Sequence, residues 1–169
     1  MCTQFYAQPY DISATGFYFD DITTYEARVT TCRNSAGDPV EEFEIQFIDG
    51  DTLDAQLFDA LSVNQATIAI FIERLDAWDT DTKIRLIIAT GECGCLFDPD
   101  RDDPEEIELD LYEVETLREL AEQFVEEGLF GDVPENFRFY IDYDAIARDL
   151  SADYGMAEAG NRRFAYRCG

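Results

Sequence analysis

The stretch IELDLYEVETLRELAEQFVEEG, residues 107–128, joins a strand pattern to a helix pattern. In its first half, Ile107, Leu109 and Leu111 alternate with acidic residues, which predicts a half-buried strand. In its second half the apolar residues recur at helical spacing, and Gly128 stands where a helix commonly ends. A strand followed at once by a helix predicts mixed α and β structure for this part of the chain.

The sequence before this stretch predicts a small sheet and then a run of helices. Phe43, Ile45 and Phe47 alternate with polar residues, as in a half-buried strand. Residues 51–92 contain apolar segments at helical spacing, separated by short polar connections. After the helix that ends at Gly128, a second helix is expected and then a hairpin at the end of the chain.

These patterns divide the 169 residues into three small modules. We expect a small sheet with one helix in residues 1–50, a helical bundle in 51–92 and an α+β module in 93–169. The predicted fold class is therefore α+β.

Acidic residues dominate the composition. The chain has 38 Asp and Glu against 12 Lys and Arg, a formal net charge of −26, yet 46% of its residues are hydrophobic. That apolar content is typical of a folded protein and not of an acidic disordered tail. The negative sign argues against direct binding to nucleic acid or to anionic membranes, both of which need basic residues. It favours a basic partner, a cation or a high-salt environment as the explanation.

Catalytic chemistry is largely excluded by the residue types that are missing. The sequence contains no histidine, which removes the usual nucleophile pairs, the usual general acid/base and histidine-ligated zinc. No phosphate-binding glycine loop precedes a helix. With 38 acids, pairs of carboxylates arise by chance and carry no information. We therefore expect neither an enzyme nor a cofactor.

The acidic segment DPDRDDPEEIEL resembles a calcium-binding loop only in part. Asp98, Asp100 and Asp102 occupy its first, third and fifth ligand positions. Asp103 then stands where the turn requires glycine, and Leu109 stands where a bidentate glutamate is required. A solvated loop is the simpler interpretation, and no metal site is predicted.

The five cysteines are an odd number, in a chain large enough to fold without disulfides. Cys93 and Cys95 form one close pair with no second pair at zinc-binding spacing. The N-terminal sequence has no secretory signal pattern, and no apolar run approaches the length of a membrane span. We expect reduced thiols and a cytoplasmic protein.

Acidic side chains form a stripe along the helix predicted over residues 115–127. Four glutamates fall on one side of it at helical spacing: Glu115, Glu119, Glu122 and Glu126. No basic residue follows any of them four positions further along the chain, so support of the helix by ion pairs is not expected. Such a stripe is usually a solvated helix face. The total charge suggests another interpretation, because 26 charges match about 44 Å of duplex DNA. Imitation of a nucleic-acid backbone is physically plausible, and adaptation to high salt remains the alternative.

The segment LRELAEQFVEEGLFGDVPENFRFYIDYDAIARDL, residues 117–150, resembles the antirestriction motif of the ArdA family. The closing YRCG is also similar, and the likeness is stronger over residues 80–169 than over 1–80. The resemblance implies an inhibitor of type I restriction-modification enzymes, carried by mobile genetic elements. It implies an elongated, curved homodimer with three modules per chain that mimics bent B-form DNA and fills the DNA-binding cleft of the enzyme.

In that interpretation carboxylates take the place of phosphates. Fifteen acids are the candidates: Asp98, Asp100, Asp102, Asp103, Glu105, Glu106, Glu108, Asp110, Glu113, Glu115, Glu119, Glu122, Glu126, Glu127 and Asp132.

The resemblance also suggests where two chains meet. A helix is predicted over residues 134–150, opened by a capping box of Asp132 and Glu135, with apolar side chains on two sides. Such a helix is either enclosed in a core or covered partly by a partner. With the family in view, a twofold contact is favoured. The candidate interface residues are Leu129, Phe130, Phe137, Phe139 and Tyr140.

Overall fold

The structure is a computed structural model that describes residues 3–169. It contains helices and two antiparallel sheets of three strands each, so the predicted α+β class is confirmed. The chain divides into two compact units, Met1–Glu106 and Ile107–Gly169. The expected module boundaries near residues 50 and 92 lie inside the first unit, and the division into three modules stays a prediction.

The sheet of the first unit has the strand order β2-β1-β3, with antiparallel pairing throughout. Its strands are β1 (Gln4–Pro9), β2 (Phe17–Phe19) and β3 (Phe43–Asp49). Phe5 on the central strand lies opposite Phe19 on one side and Phe47 on the other. The alternation in the sequence therefore places aromatic side chains on one face of the sheet, as predicted.

Phe5 is the centre of an aromatic core. It is 1% exposed, and four other rings lie between 5.4 and 6.3 Å from its own, centroid to centroid. They are Phe19, Phe47, Phe58 and Phe71. Rings at these distances contribute pairwise attraction in addition to the burial of their surface. The sheet and helices of the first unit are packed together through these rings.

The helices of the first unit are α1 (Ile22–Thr31), α2 (Thr52–Ala60), α3 (Ile68–Ala77) and α4 (Thr80–Gly91). They agree with the helical periodicity of the sequence. Aspartates occupy three of the N-cap positions and accept hydrogen bonds from backbone N–H groups: Asp21, Asp51 and Asp79. Part of the acidic excess thus satisfies the free donors at helix N-termini.

Helix α4 is the most deeply buried helix of the first unit. Ile84, Leu86 and Ile88 are each at most 2% exposed. Lys83 Nζ lies 2.7 Å from Asp54 Oδ1, which ties α4 to α2. Within the predicted helical segment, α2 packs against α4.

The cysteines of the first unit differ from the expectation. Cys93 is disulfide-bonded, so the prediction of reduced thiols is wrong for this residue. Cys32 and Cys95 are free thiols, and Cys2 lies outside the described residues.

The second unit combines a sheet of order β4-β6-β5 with two α-helices. Its strands are β4 (Leu109–Glu113), β5 (Gly155–Ala159) and β6 (Arg162–Cys168), and its α-helices are α5 (Leu117–Glu126) and α6 (Tyr143–Leu150). The C-terminal hairpin and its turn are where the sequence predicts them. Cys168 is disulfide-bonded, a second departure from reduced thiols.

Helix α5 covers one face of this sheet. The core cluster consists of Val114, Leu120, Phe124, Tyr154 and Ala165. Tyr112, which alternates with Leu111 along β4, packs against this cluster. The predicted strand is confirmed, but the face that α5 covers carries Tyr112 and not Leu111. The alternation identified the strand without identifying the face that packs on the helix.

The single helix predicted over residues 134–150 is wrong. The structure has a 3₁₀ helix at Glu135–Tyr140 and a separate helix, α6, that begins at Tyr143. Asp142 causes the restart, because its side chain accepts a hydrogen bond from the backbone N–H of Ala145 and so caps a new helix. The capping box is also wrong, since Pro134 precedes the 3₁₀ helix and makes no side-chain cap.

Candidate functional site

The predicted phosphate-mimicking acids all reach the solvent. Thirteen of the fifteen are exposed, and the two that are half-buried are Asp110 and Glu122. No charged residue is buried among residues 3–169. Burial therefore does not prevent any of these acids from contacting another protein. Their availability depends on whether groups within the chain already bind them.

The acidic stripe on α5 is shorter than predicted, because Thr116 is the N-cap and Glu115 precedes the helix. Thr116 Oγ1 accepts a hydrogen bond from the N–H of Glu119 at 3.2 Å. The Glu119 carboxylate accepts one from the N–H of Glu115 at 2.8 Å. Glu119 thus helps to close the start of the helix. The sequence TLRE at residues 116–119 is a capping-box signature that our sequence reasoning missed.

Arg118 binds two of the acids on the helices. Its Nε lies 3.1 Å from Oε1 of Glu122, one turn along α5. Its Nη1 lies 2.9 and 2.8 Å from the two carboxylate oxygens of Asp144 on α6. The hydrogen bonds that Arg118 donates to Glu122 and Asp144 raise the pKa of Arg118 above its ordinary value. The expectation that no ion pair supports this helix is therefore wrong for Glu122.

Two further arginines bind acids across the sheet. Arg167 lies opposite Asp110 in the β4–β6 pairing and its Nε donates to Oδ2 at 2.9 Å. Arg162 Nε donates to Oε1 of Glu113 at 2.8 Å. This hydrogen bond lowers the pKa of Glu113 below its ordinary value. Asp110 and Glu113 are thus partly neutralised in the folded chain.

The acids of the loop before the second unit are turned partly toward their own backbone. Asp98 accepts a hydrogen bond from the N–H of Asp100 at 3.0 Å, Asp102 one from Asp98 at 2.7 Å, and Asp103 one from Glu105 at 2.9 Å. These are local turn contacts. Within residues 3–169 no group of three or more acids, cysteines or histidines is arranged to hold a metal ion.

Six of the predicted acids in the second unit have no basic partner among residues 3–169. They are Glu108, Glu115, Glu119, Glu126, Glu127 and Asp132. Glu127 accepts a hydrogen bond from the neutral amide of Gln123 at 2.8 Å. Their full charge therefore faces the solvent.

The negative charge extends well beyond the fifteen candidates. Residues 1–106 contain 23 acids and 6 basic residues, a net charge of 6 − 23 = −17. Residues 107–169 contain 15 acids and 6 basic residues, a net charge of 6 − 15 = −9. Both units are strongly acidic. The fifteen candidates predicted from the sequence all lie within residues 98–132 and so leave out the acids of residues 1–97.

The five predicted interface residues are all exposed. Leu129, Phe130 and Phe137 are each more than half exposed, Tyr140 is 84% exposed and Phe139 is 92% exposed. The loop and 3₁₀ helix that carry them therefore present large apolar side chains to the solvent, an arrangement typical of protein contact surfaces.

Comparison with known protein families identifies a match over most of this chain. The family described as "Antirestriction protein (ArdA)" matches residues 21–162, which is most of the sequence. The chain belongs to the ArdA family. Membership implies an antirestriction function, an interaction with restriction-modification enzymes and the role of an inhibitor instead of an enzyme. Among curated proteins, no match to this ArdA-family chain is found. Within residues 3–169, no helix combines the length and apolar character needed to cross a bilayer.

Proposed function

We propose that this ArdA-family protein mimics bent B-form DNA and blocks the DNA-binding cleft of type I restriction-modification enzymes. The observation that carries the proposal is the exposed negative charge: a net −26 with no acid buried among the described residues. Negative charge that is exposed to the solvent is complementary to a basic groove that binds phosphates.

The amount of charge fits that role. Duplex DNA carries one negative charge per ~1.7 Å of axis, so 26 charges correspond to about 44 Å of duplex. A homodimer would carry 2 × −26 = −52. Phosphate contacts position a protein on DNA without reading its sequence. An inhibitor that imitates phosphates alone therefore suits enzymes with different recognition sequences.

The homodimer is part of this proposal. The exposed residues Leu129, Phe130, Phe137, Phe139 and Tyr140 would meet their counterparts in a second chain. A cytoplasmic location is proposed from the target, because the DNA that restriction enzymes cut is intracellular. Because Cys93 and Cys168 are disulfide-bonded, these two residues do not support a cytoplasmic location.

The test is displacement of a labelled duplex from the DNA-binding subunits of a type I enzyme, followed by fluorescence anisotropy. We expect displacement at all duplex sequences that the enzyme binds non-specifically, and an affinity that falls steeply as salt is raised. A protein adapted to high salt without mimicry would fail to displace the duplex and would lose stability in low salt.

A matched pair of triple variants distinguishes the effect of the candidate acids on displacement from the effect of the total charge. The first is Glu115→Gln, Glu126→Gln and Glu127→Gln; the control is Glu26→Gln, Asp38→Asn and Glu41→Gln, all exposed and outside the candidate set. Both variants have a net charge of −26 + 3 = −23. We expect the first to need about tenfold more protein for displacement, and the control only a few times more. Equal losses would mean that total charge alone matters.

A further inference from the structure

The acids of the second unit fall into two groups, according to whether an arginine reaches them. Glu122 and Asp144 belong to the first group, because Arg118 binds both at distances of 2.8 to 3.1 Å. Glu126 and Glu127 belong to the second, since neither has a basic partner among residues 3–169. Both groups lie on or beside α5 and α6.

Exposure does not separate the groups. The side chains of Glu122 and Asp144 are 46% and 72% exposed, although both are paired. Glu126 and Glu127 are also exposed. As far as solvent exposure is concerned, a partner protein could therefore reach all four carboxylates.

The pairing separates them chemically. Both oxygens of Asp144 already accept hydrogen bonds from the Arg118 guanidinium. An arginine or lysine of another protein could bind Asp144 only by displacing Arg118 and breaking charge-assisted hydrogen bonds. At Glu126 the same incoming group displaces only water. A basic surface therefore binds the unpaired acids more favourably.

We propose that Arg118 withdraws Glu122 and Asp144 from direct contact with a basic partner protein, and that Glu126 and Glu127 make that contact. This rests on the proposed function, in which the partner is the DNA-binding surface of a restriction-modification enzyme. Arg118 is then a positioning residue: it joins α5 to α6 and determines which carboxylates are offered.

The first test needs no partner. The carboxylates of the intact protein are coupled to a small amine with a carbodiimide, and the rate at each residue is read by mass spectrometry. We expect Glu122 and Asp144 to react about threefold or more slowly than Glu126 and Glu127, because guanidinium-bound oxygens are poorer nucleophiles. In the Arg118→Gln variant the rates should become equal. Equal coupling rates at all four residues in the parent protein would overturn the proposal that Arg118 withdraws Glu122 and Asp144.

The second test compares two double variants in duplex displacement. Glu122→Gln with Asp144→Asn removes the paired acids, and Glu126→Gln with Glu127→Gln removes the unpaired ones. Both have a net charge of −26 + 2 = −24. Their long-range electrostatic effects are therefore matched, and a difference reports direct contact. We expect about a fivefold loss for the unpaired double and about twofold or less for the paired double. Equal losses, or a larger loss for the paired double, would overturn the proposal.

The Arg118→Gln variant gives a result of opposite sign. It frees two carboxylates and should bind about twofold more tightly, while exposed ion pairs of this kind contribute little to folding. Weaker displacement by a variant that melts cooperatively would contradict the proposal. A parent protein that displaces no duplex would refute the proposed function instead, and the carbodiimide rates would still decide whether Arg118 withdraws its acids.

Discussion

The two units use their phenylalanines in opposite ways. The first unit contains eight phenylalanines, none of them exposed, and its core is built around Phe5. The second contains five, of which three are exposed on the loop and 3₁₀ helix: Phe130, Phe137 and Phe139. Both units are highly acidic. The first unit packs its phenylalanines within its own fold, whereas the second leaves three of its five available for contact.

Removing a ring from the core of the first unit is expected to have the largest effect. Phe5→Ala should lower the free energy of unfolding by about 3–5 kcal/mol, because it leaves a cavity among four other rings. Denaturant unfolding measures this change. Ile12→Ala, at a fully exposed position of the same unit, is the control and should change the value by about 0.5 kcal/mol or less. Similar losses at the two positions would show that the rings around Phe5 do not account for the stability of this unit.

The exposed aromatics of the second unit should matter for association. We expect Phe139→Ser with Tyr140→Ser to weaken dimer formation about a hundredfold, because large aromatic side chains dominate most interfaces. Sedimentation velocity over a range of concentrations measures the dissociation constant. Ile12→Ser, at a fully exposed position of the first unit, should leave it unchanged. A parent protein that is monomeric throughout, or a double variant that still dimerises, would contradict the proposed interface.

Helix ends in the two units should respond differently to alanine. Gly128 has a φ of +76° after α5, and the N–H of Leu129 bonds the carbonyl of Phe124 across it. Gly128→Ala should cost about 1 kcal/mol, because a side chain disfavours this conformation. Gly91, the last residue of α4, has no positive φ and open space around it, so Gly91→Ala should be neutral or slightly stabilising. Thermal unfolding of both variants provides the comparison.

The smallest effect is expected from the arginine pairs of the second unit, and it should depend on pH. Arg162 lowers the pKa of Glu113 below its ordinary value of 4.5. The stabilisation from this pair is therefore complete above pH 4.5 and is lost as the pH falls through the lowered pKa. Glu113→Gln should lower the melting temperature slightly at neutral pH, and the difference from the parent should vanish in strong acid. Glu126→Gln, which removes an unpaired acid, should leave the neutral-pH melting temperature unchanged or slightly raised. A loss at neutral pH that was the same for both variants would show that the pairing is irrelevant.

Local patterns in the sequence predicted most of the elements. The alternation in β3, the helical spacing in α5 and the glycine after it are properties of residues two to four positions apart. The pair of Arg118 and Glu122 is equally local, four residues apart on one helix, and could have been recognised. The break at Asp142 was missed because apolar spacing was given more weight than a capping aspartate.

The sequence by itself determined the net charge, the family and the order of helices and strands, because each follows from residue types and short-range spacing. Only the tertiary structure decided which acids are neutralised by arginines from distant parts of the chain and which aromatic side chains remain exposed. Arg162 and Glu113 are 49 residues apart in the chain, and Arg118 and Asp144 are 26 apart. Such pairs exist because the strands and helices that carry them pack side by side. No periodic pattern along the chain indicates that these residues lie next to each other.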